Sequence, residues 1–277
     1  QTIAERVAEA ASRTFVGRRS ELALLQDAIA SDVLPFHVAF VYGPGGIGKS
    51  RLLQALLASL DQDTRGLLLD CRDLEPTPRG FQAGAARALG FPPQDASLAL
   101  IADELTRDAR RTVLALDTYE VFGLLDSWLR NTFLPALPSS VVTVIAGRER
   151  PHASWHTAAG WAGLVEHVAL SALSHSDAMQ MLRARGLTEL QAARANSFAR
   201  GHPLALELVA AAFHNDPEAG LLPFAGGGIA TPSPAYSFSL LRSVRIEMPR
   251  MLAACVRLPR QCFSVSRIRS RSTSATV

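Results

Sequence analysis

Between Phe36 and Ser50 the chain reads FHVAFVYGPGGIGKS. An apolar run from Val38 to Tyr42 closes on Gly43-Pro44-Gly45-Gly46-Ile47-Gly48-Lys49-Ser50, and the amphipathic stretch Arg51-Leu52-Leu53-Gln54-Ala55-Leu56-Leu57 follows at once. Strand, glycine loop and helix in this order are the context in which the spacing G-x-x-x-x-G-K-[ST] cradles phosphate. The glycines let the backbone turn successive N–H groups toward one anion, and the helix that follows adds the positive end of its dipole. Lys49 is then expected to reach the β- and γ-phosphates of a nucleotide, and the Ser50 hydroxyl to ligate Mg²⁺. Composition sharpens the point. Of 28 basic residues 27 are arginine, so Lys49 is the only lysine in 277 positions. A compact ammonium fits between phosphates where a forked guanidinium does not.

With 48% hydrophobic and 19% charged residues, a chain of this length has ample material for a buried core. No apolar run approaches the roughly eighteen residues of a membrane span. The start, QTIAERVAEAASRTF, lacks a charged segment followed by an apolar one, so no secretory signal is expected. Cys71, Cys255 and Cys262 lack C-x-x-C spacing, which argues against a disulfide framework or zinc site and fits a reducing cytoplasm. Residues 221–277 hold eight Arg and one Glu, which leaves 20 basic and 24 acidic side chains in residues 1–220. The sequence pI of about 9.1 therefore belongs to the tail and gives the body no nucleic-acid footprint.

In chain order, residues 1–14 read as a polar helical lead-in. Phe15-Val16-Gly17-Arg18-Arg19-Ser20-Glu21-Leu22 then leads into a helix ending near Ala30. A strand is predicted over 66–71, helices over 81–89 and 98–109, and a second apolar strand over 112–117. That strand ends in Asp117, the pattern that delivers a carboxylate to the Mg²⁺ water shell. In ATPases that this pattern resembles, a second acid directly after such an Asp polarises the attacking water; Thr118 stands there, so Glu120 is the candidate substitute, at the mouth of a helix predicted over 121–130. A strand over 141–146 leads to Gly147-Arg148-Glu149-Arg150, and an Arg at the carboxyl end of a core strand faces the same edge as the glycine loop. Arg148, with Arg150 second, is therefore the candidate sensor of a γ-phosphate. His152, Trp155, His156 and Trp161 read as packing and surface residues. After a strand over 165–170 the pattern turns helical, over about 174–185, 189–199 and from 201, where Pro203 suits a first turn. The expected fold is α/β: a five-stranded, mainly parallel sheet flanked by helices over 15–170, a small helical subdomain over 171–215, and a linker with a Ser/Arg-rich tail over 216–277.

The phosphate loop, the Asp-ended strand, the strand-end Arg and Gly201-His202-Pro203-Leu204-Ala205-Leu206, in that order, resemble the STAND class of P-loop NTPases. The V-G-R-x-x-E-L box at Val16, Gly17 and Arg18 is shared with related AAA-like ATPases. The resemblance implies ATP or ADP with Mg²⁺ as cofactors, held at Gly43, Pro44, Gly45, Gly46, Ile47, Gly48, Lys49, Ser50 and Arg51, with the box flanking the adenine and Pro203 approaching it. It implies catalytic roles for Lys49, Asp117 and Arg148, with Glu120 standing in for the second acid, and metal ligation by Ser50 and Asp117. A slowly hydrolysing switch in signal transduction or transcriptional regulation follows, with self-association or a protein effector as partner. Such proteins continue into a winged-helix element and a long effector region; neither is recognisable, so truncation or a disrupted reading frame near residue 240 is expected. A nucleotide-loaded scaffold with little hydrolysis and an AAA-type DNA-associated ATPase are the alternatives, and the tail's arginines offer an electrostatic route to nucleic acid. A small-molecule kinase fits least, because no lid-like Arg cluster follows the core.

Overall fold

The computed structural model describes residues 15–215 except 109 and 159, together with residue 6. Most of the predicted lead-in and all of the predicted linker and tail lie outside the described residues. Five strands, β1 (Val38–Tyr42), β2 (Thr64–Asp70), β3 (Arg111–Asp117), β4 (Val141–Gly147) and β5 (Val165–Ala169), form one sheet in the order β2-β3-β4-β1-β5. Every pairing is parallel. Tyr42 lies between Gly147 and Ala169, and Asp70 beside Asp117, so the strands end along one edge. Gly43, Thr118 and Arg148 each begin the segment that leaves it.

Among the described residues four helices of ten or more residues flank the sheet: α1 (Arg19–Ala30), α2 (Lys49–Ala58), α3 (Pro78–Leu89) and α4 (Leu98–Arg107). The apolar runs of β3 and β4 are continuous because both faces of the sheet are covered. Val113, Ala115, Val142 and Val144 pack with Leu25 and Ile29 of α1 and Leu52, Leu53 and Leu56 of α2. On the other face Leu114, Leu116 and Ile145 pack with Phe81 of α3 and Ile101 and Leu105 of α4. Residues one apart in a strand thus serve opposite layers.

The helix predicted over 121–130 is not a regular α-helix. Tyr119–Leu125 is 3₁₀, Asp126–Trp128 a single α-turn, Leu129–Phe133 a π-turn and Leu134–Ala136 3₁₀ again. The cause is a polar cluster drawn inward. Asp126 accepts hydrogen bonds from the Tyr119 hydroxyl (3.1 Å), Trp155 Nε1 (2.7 Å) and Arg130 Nη1 (2.9 Å). The Arg130 guanidinium also lies 5.5 Å from the centre of the Trp155 ring and bonds Ser154 Oγ. Burying Phe122, Leu125, Leu129 and Phe133 as well leaves no single straight helix that satisfies all these contacts.

Past β5 three helices, α5 (His175–Ala184), α6 (Glu189–Ala199) and α7 (Pro203–Asn215), enclose a small core of their own. Ser174 caps α5, and Thr188 with Gln191 forms a capping box at the start of α6. Among the described residues no helix is long and apolar enough to cross a membrane.

Candidate functional site

Side chains cap some of the helices and not others; α1, after Arg18, and α2, after Gly48, have no such cap. Thr77 caps α3 and Ser97 caps α4 with side-chain oxygens. α2 begins at Gly48, in the left-handed region at φ +101°, and no side chain caps it. Its first N–H groups therefore face the glycine loop, where an anion is the partner they suit. α7 is capped in yet another way. The Leu204 N–H donates to the Gly46 carbonyl at 3.2 Å, so the phosphate loop itself satisfies the first turn of a helix from the subdomain. His202 Nε2 lies 3.1 Å from the Gly45 carbonyl oxygen beside it. Gly46 makes this possible: it sits at φ +76°, and a Cβ there would come within 2.7 Å of Leu204 Cβ.

Lys49, 9% exposed, donates from Nζ to the carbonyls of Gly43 (2.7 Å) and Pro44 (2.9 Å). Burial lowers its affinity for the proton below the ordinary lysine value, Glu120 opposes that shift, Arg148 adds to it and Asp117 opposes it. A buried ammonium with negative charge only at its flank suits an anionic ligand. Asp117, 8% exposed at the end of β3, accepts the Thr118 N–H at 2.8 Å. Thr118 adopts the left-handed conformation at φ 55°, which turns the chain so that Glu120 meets Arg148 in an ion pair of 2.8 Å. Arg148 lies against the loop, its guanidinium carbon 3.8 Å from where a Cβ on Gly45 would stand. The two charged candidates that follow β3 and β4 are therefore brought together beside the loop.

On the other side of the loop a cavity of about 450 Å³ opens between sheet region and subdomain, within the size range of small-ligand sites. Val16, Arg18, Gly46, Ile47, Gly48, Lys49, Ser50, Arg51 and Pro203 line it. Of the other sequence-predicted residues, Gly43, Pro44, Gly45, Asp117, Glu120 and Arg148 stand outside the lining, and Gly17 packs at φ +75° against Leu173 and Asp177. Arg18 has a further task beside the expected one. It reaches the cavity wall, yet its guanidinium bonds the Ile47 carbonyl (3.2 Å), the Ser171 carbonyl and Glu21 (3.2 Å), bracing the loop against the segment that leaves β5.

Phe15, Leu173, Met181, Arg185, Leu204 and Glu207 complete the lining and escaped the sequence reading. Met181 and Arg185 are four residues apart, and Leu204 and Glu207 three, so each pair shares a helix face. That spacing alone does not say which faces meet. The wall is apolar at Phe15, Val16, Leu173 and Met181, polar at Lys49, Ser50 and the uncapped helix, and so can take a ligand with a flat apolar end and an anionic end. The residues fit a nucleoside triphosphate with Mg²⁺.

Over residues 14–217 the sequence matches the family of AAA ATPase domains. Among solved structures the fold is similar to the Orc1 protein of Aeropyrum pernix in complex with DNA. That match has TM-score 0.52 and 16% identity, over 83% of this chain and 66% of the other. Cdc6p from Pyrobaculum aerophilum gives TM-score 0.54 and 18% identity over 73% of this chain and 65% of the other. The chain thus spans about two thirds of the length of each. No curated protein matches the sequence.

Proposed function

This chain belongs to the AAA ATPase domain family, and from that premise we propose an ATP-binding, slowly hydrolysing switch of the STAND type that acts in signal transduction or transcriptional regulation. The observation that carries the reading is the cavity wall. One side is the phosphate loop, the other is the subdomain, and α7 is capped by the loop's own carbonyl. A ligand that changes its contacts with the loop therefore acts on the orientation of α7.

Each residue has a part in this reading. The loop N–H groups and Lys49 hold the phosphate oxygens, and Val16, Gly17, Arg18 and Pro203 flank the adenine. Ser50 and Asp117 hold Mg²⁺, which when bound neutralises charge on the phosphates. Glu120 orients the attacking water, and Arg148 bears on the terminal phosphate. Because Glu120 replaces an acid that would directly follow Asp117, and shares its charge with Arg148, turnover is expected to be slow.

The Orc1 neighbour, solved with DNA, favours a second reading, an AAA-type DNA-associated ATPase. The excess of acidic over basic side chains in residues 1–220 speaks for the first. Calorimetry of the purified chain with Mg·ATP and Mg·GTP, a phosphate-release assay and DNA titration by fluorescence anisotropy separate the two. We expect ATP binding and slow release of phosphate, both lost in Lys49→Ala by about a hundredfold or more, as removal of charge-assisted bonds to phosphate demands. Unchanged ATP affinity in Lys49→Ala would sink the reading; salt-dependent DNA binding by the wild type would favour the second.

A further inference from the structure

The cavity wall holds one carboxylate, Glu207, and nothing assigned so far uses it. Glu207 lies on α7 three residues after Leu204, the residue held to Gly46, so it stands on the same face and about 4.5 Å farther from the loop along the helix axis. Its Oε1 pairs with Nη2 of Arg185, at the end of α5. Arg185 is held in turn, because its carbonyl bonds His214 Nε2 at 2.7 Å, which ties the end of α5 to the last turn of α7. Both charged side chains are about one third exposed, at 37% and 31%, so they stand at the mouth of the cavity rather than in its floor.

A carboxylate beside a phosphate site repels the ligand unless its charge is balanced, and an ionised carboxylate only accepts hydrogen bonds. Arg185 supplies the balance. Next along a nucleotide from the phosphates is the sugar, and its hydroxyls donate. We propose that Arg185 and Glu207 form a sugar-reading clasp: Glu207 accepts a ribose hydroxyl of the bound nucleotide through Oε2, and Arg185 neutralises and aims the carboxylate. The site then discriminates against a nucleotide that lacks that hydroxyl. This rests on the nucleotide reading above.

The test is calorimetric titration of the whole chain, with Mg²⁺, using ATP, 2′-deoxy-ATP, 3′-deoxy-ATP and inosine triphosphate. At least one deoxy analogue is expected to bind about tenfold more weakly than ATP, the effect of a lost hydrogen bond to a charged group. Glu207→Ala brings ATP down to the level of that analogue and leaves the analogue within about twofold of its wild-type affinity. Glu207→Gln keeps part of the preference, and Arg185→Ala, as a positioning change, loses most of it. Equal wild-type affinity for ATP and both deoxy analogues overturns the clasp and leaves nucleotide binding standing. A Glu207→Ala variant that loses discrimination against inosine triphosphate instead overturns the sugar assignment, because the missing 6-amino group is then what Glu207 reads. If no nucleotide binds, both the clasp and the reading beneath it fail. The analogue comparison needs only wild-type protein, so a variant that does not fold leaves the test intact.

Discussion

The sheet region and the helical subdomain are built at different depths. The sheet packs large side chains on both faces, Phe81, Phe122, Phe133 and Trp155 on one and a row of leucines on the other, and its strands pair across long stretches of sequence. Among the described residues the subdomain core has ten buried residues, half of them alanine, contributed by three consecutive helices and, at Leu173 and Leu187, by the segments that precede α5 and α6. Between the two lie a few polar ties: Leu204 N–H to the Gly46 carbonyl, His202 Nε2 beside the Gly45 carbonyl at 3.1 Å, and the Arg18 brace. A deep platform and a shallow cover joined by backbone hydrogen bonds differ in opening free energy, and the cover opens first.

The strongest way to break this contrast is to carve both cores alike. Leu116 and Leu206 are each 0% exposed. Leu116→Ala is expected to cost about 4 kcal/mol and to unfold the described region as a unit in a urea titration. Leu206→Ala is expected to cost about 3 kcal/mol but to act locally, with hydrogen exchange quickening in α5 to α7 while β3 and β4 stay protected. If Leu206→Ala loosens the strands equally, platform and cover are one cooperative unit.

A smaller effect sharpens the boundary itself. Gly46→Ala strains a residue at φ +76° and drives a methyl group into Leu204, at an expected cost of about 2 kcal/mol. The Leu204 amide should then exchange faster while Leu52 and Leu53 of α2 keep their protection. The smallest effect is chemical. Burial, with Asp70, Asp117 and Glu120 nearby, pushes the Cys71 thiol from an ordinary 9.0 up to about 12. The raised value leaves far less thiolate near pH 8, so alkylation at Cys71, followed by peptide mass spectrometry, should be markedly slower than in the unfolded chain. Its folded value is raised, so this contribution to stability is whole below pH 9.0 and is lost as pH rises toward about 12. Leu206→Ala should leave Cys71 protected and Leu116→Ala should not.

What the sequence made legible is what local geometry writes into it. The loop from Gly43 to Ser50, the strand ending in Asp117 and Pro203 at the first position of α7 are each signalled within a dozen residues. The regular helix expected over 121–130 is not formed, because the shape of that tract comes from Asp126 meeting Trp155, a partner 29 residues away. The bracing by Arg18 was not legible, since nothing nearby in sequence announces the carbonyls of Ile47 and Ser171. Arg185 and Glu207 carried no signal at all; each is an ordinary charge on an amphipathic helix until α5 and α7 pack side by side.

The strand order has a consequence in time. β1 pairs with β4 and β5 and with neither β2 nor β3, and its nearest partner residues, Thr143 and Val165 beside Val38, come about a hundred residues or more behind it. At about 5–20 residues per second of synthesis, the apolar strand VAFVY waits roughly five to twenty-five seconds for its neighbours. During that interval it is the stretch of nascent chain that most needs shielding, and the phosphate loop it carries takes shape late.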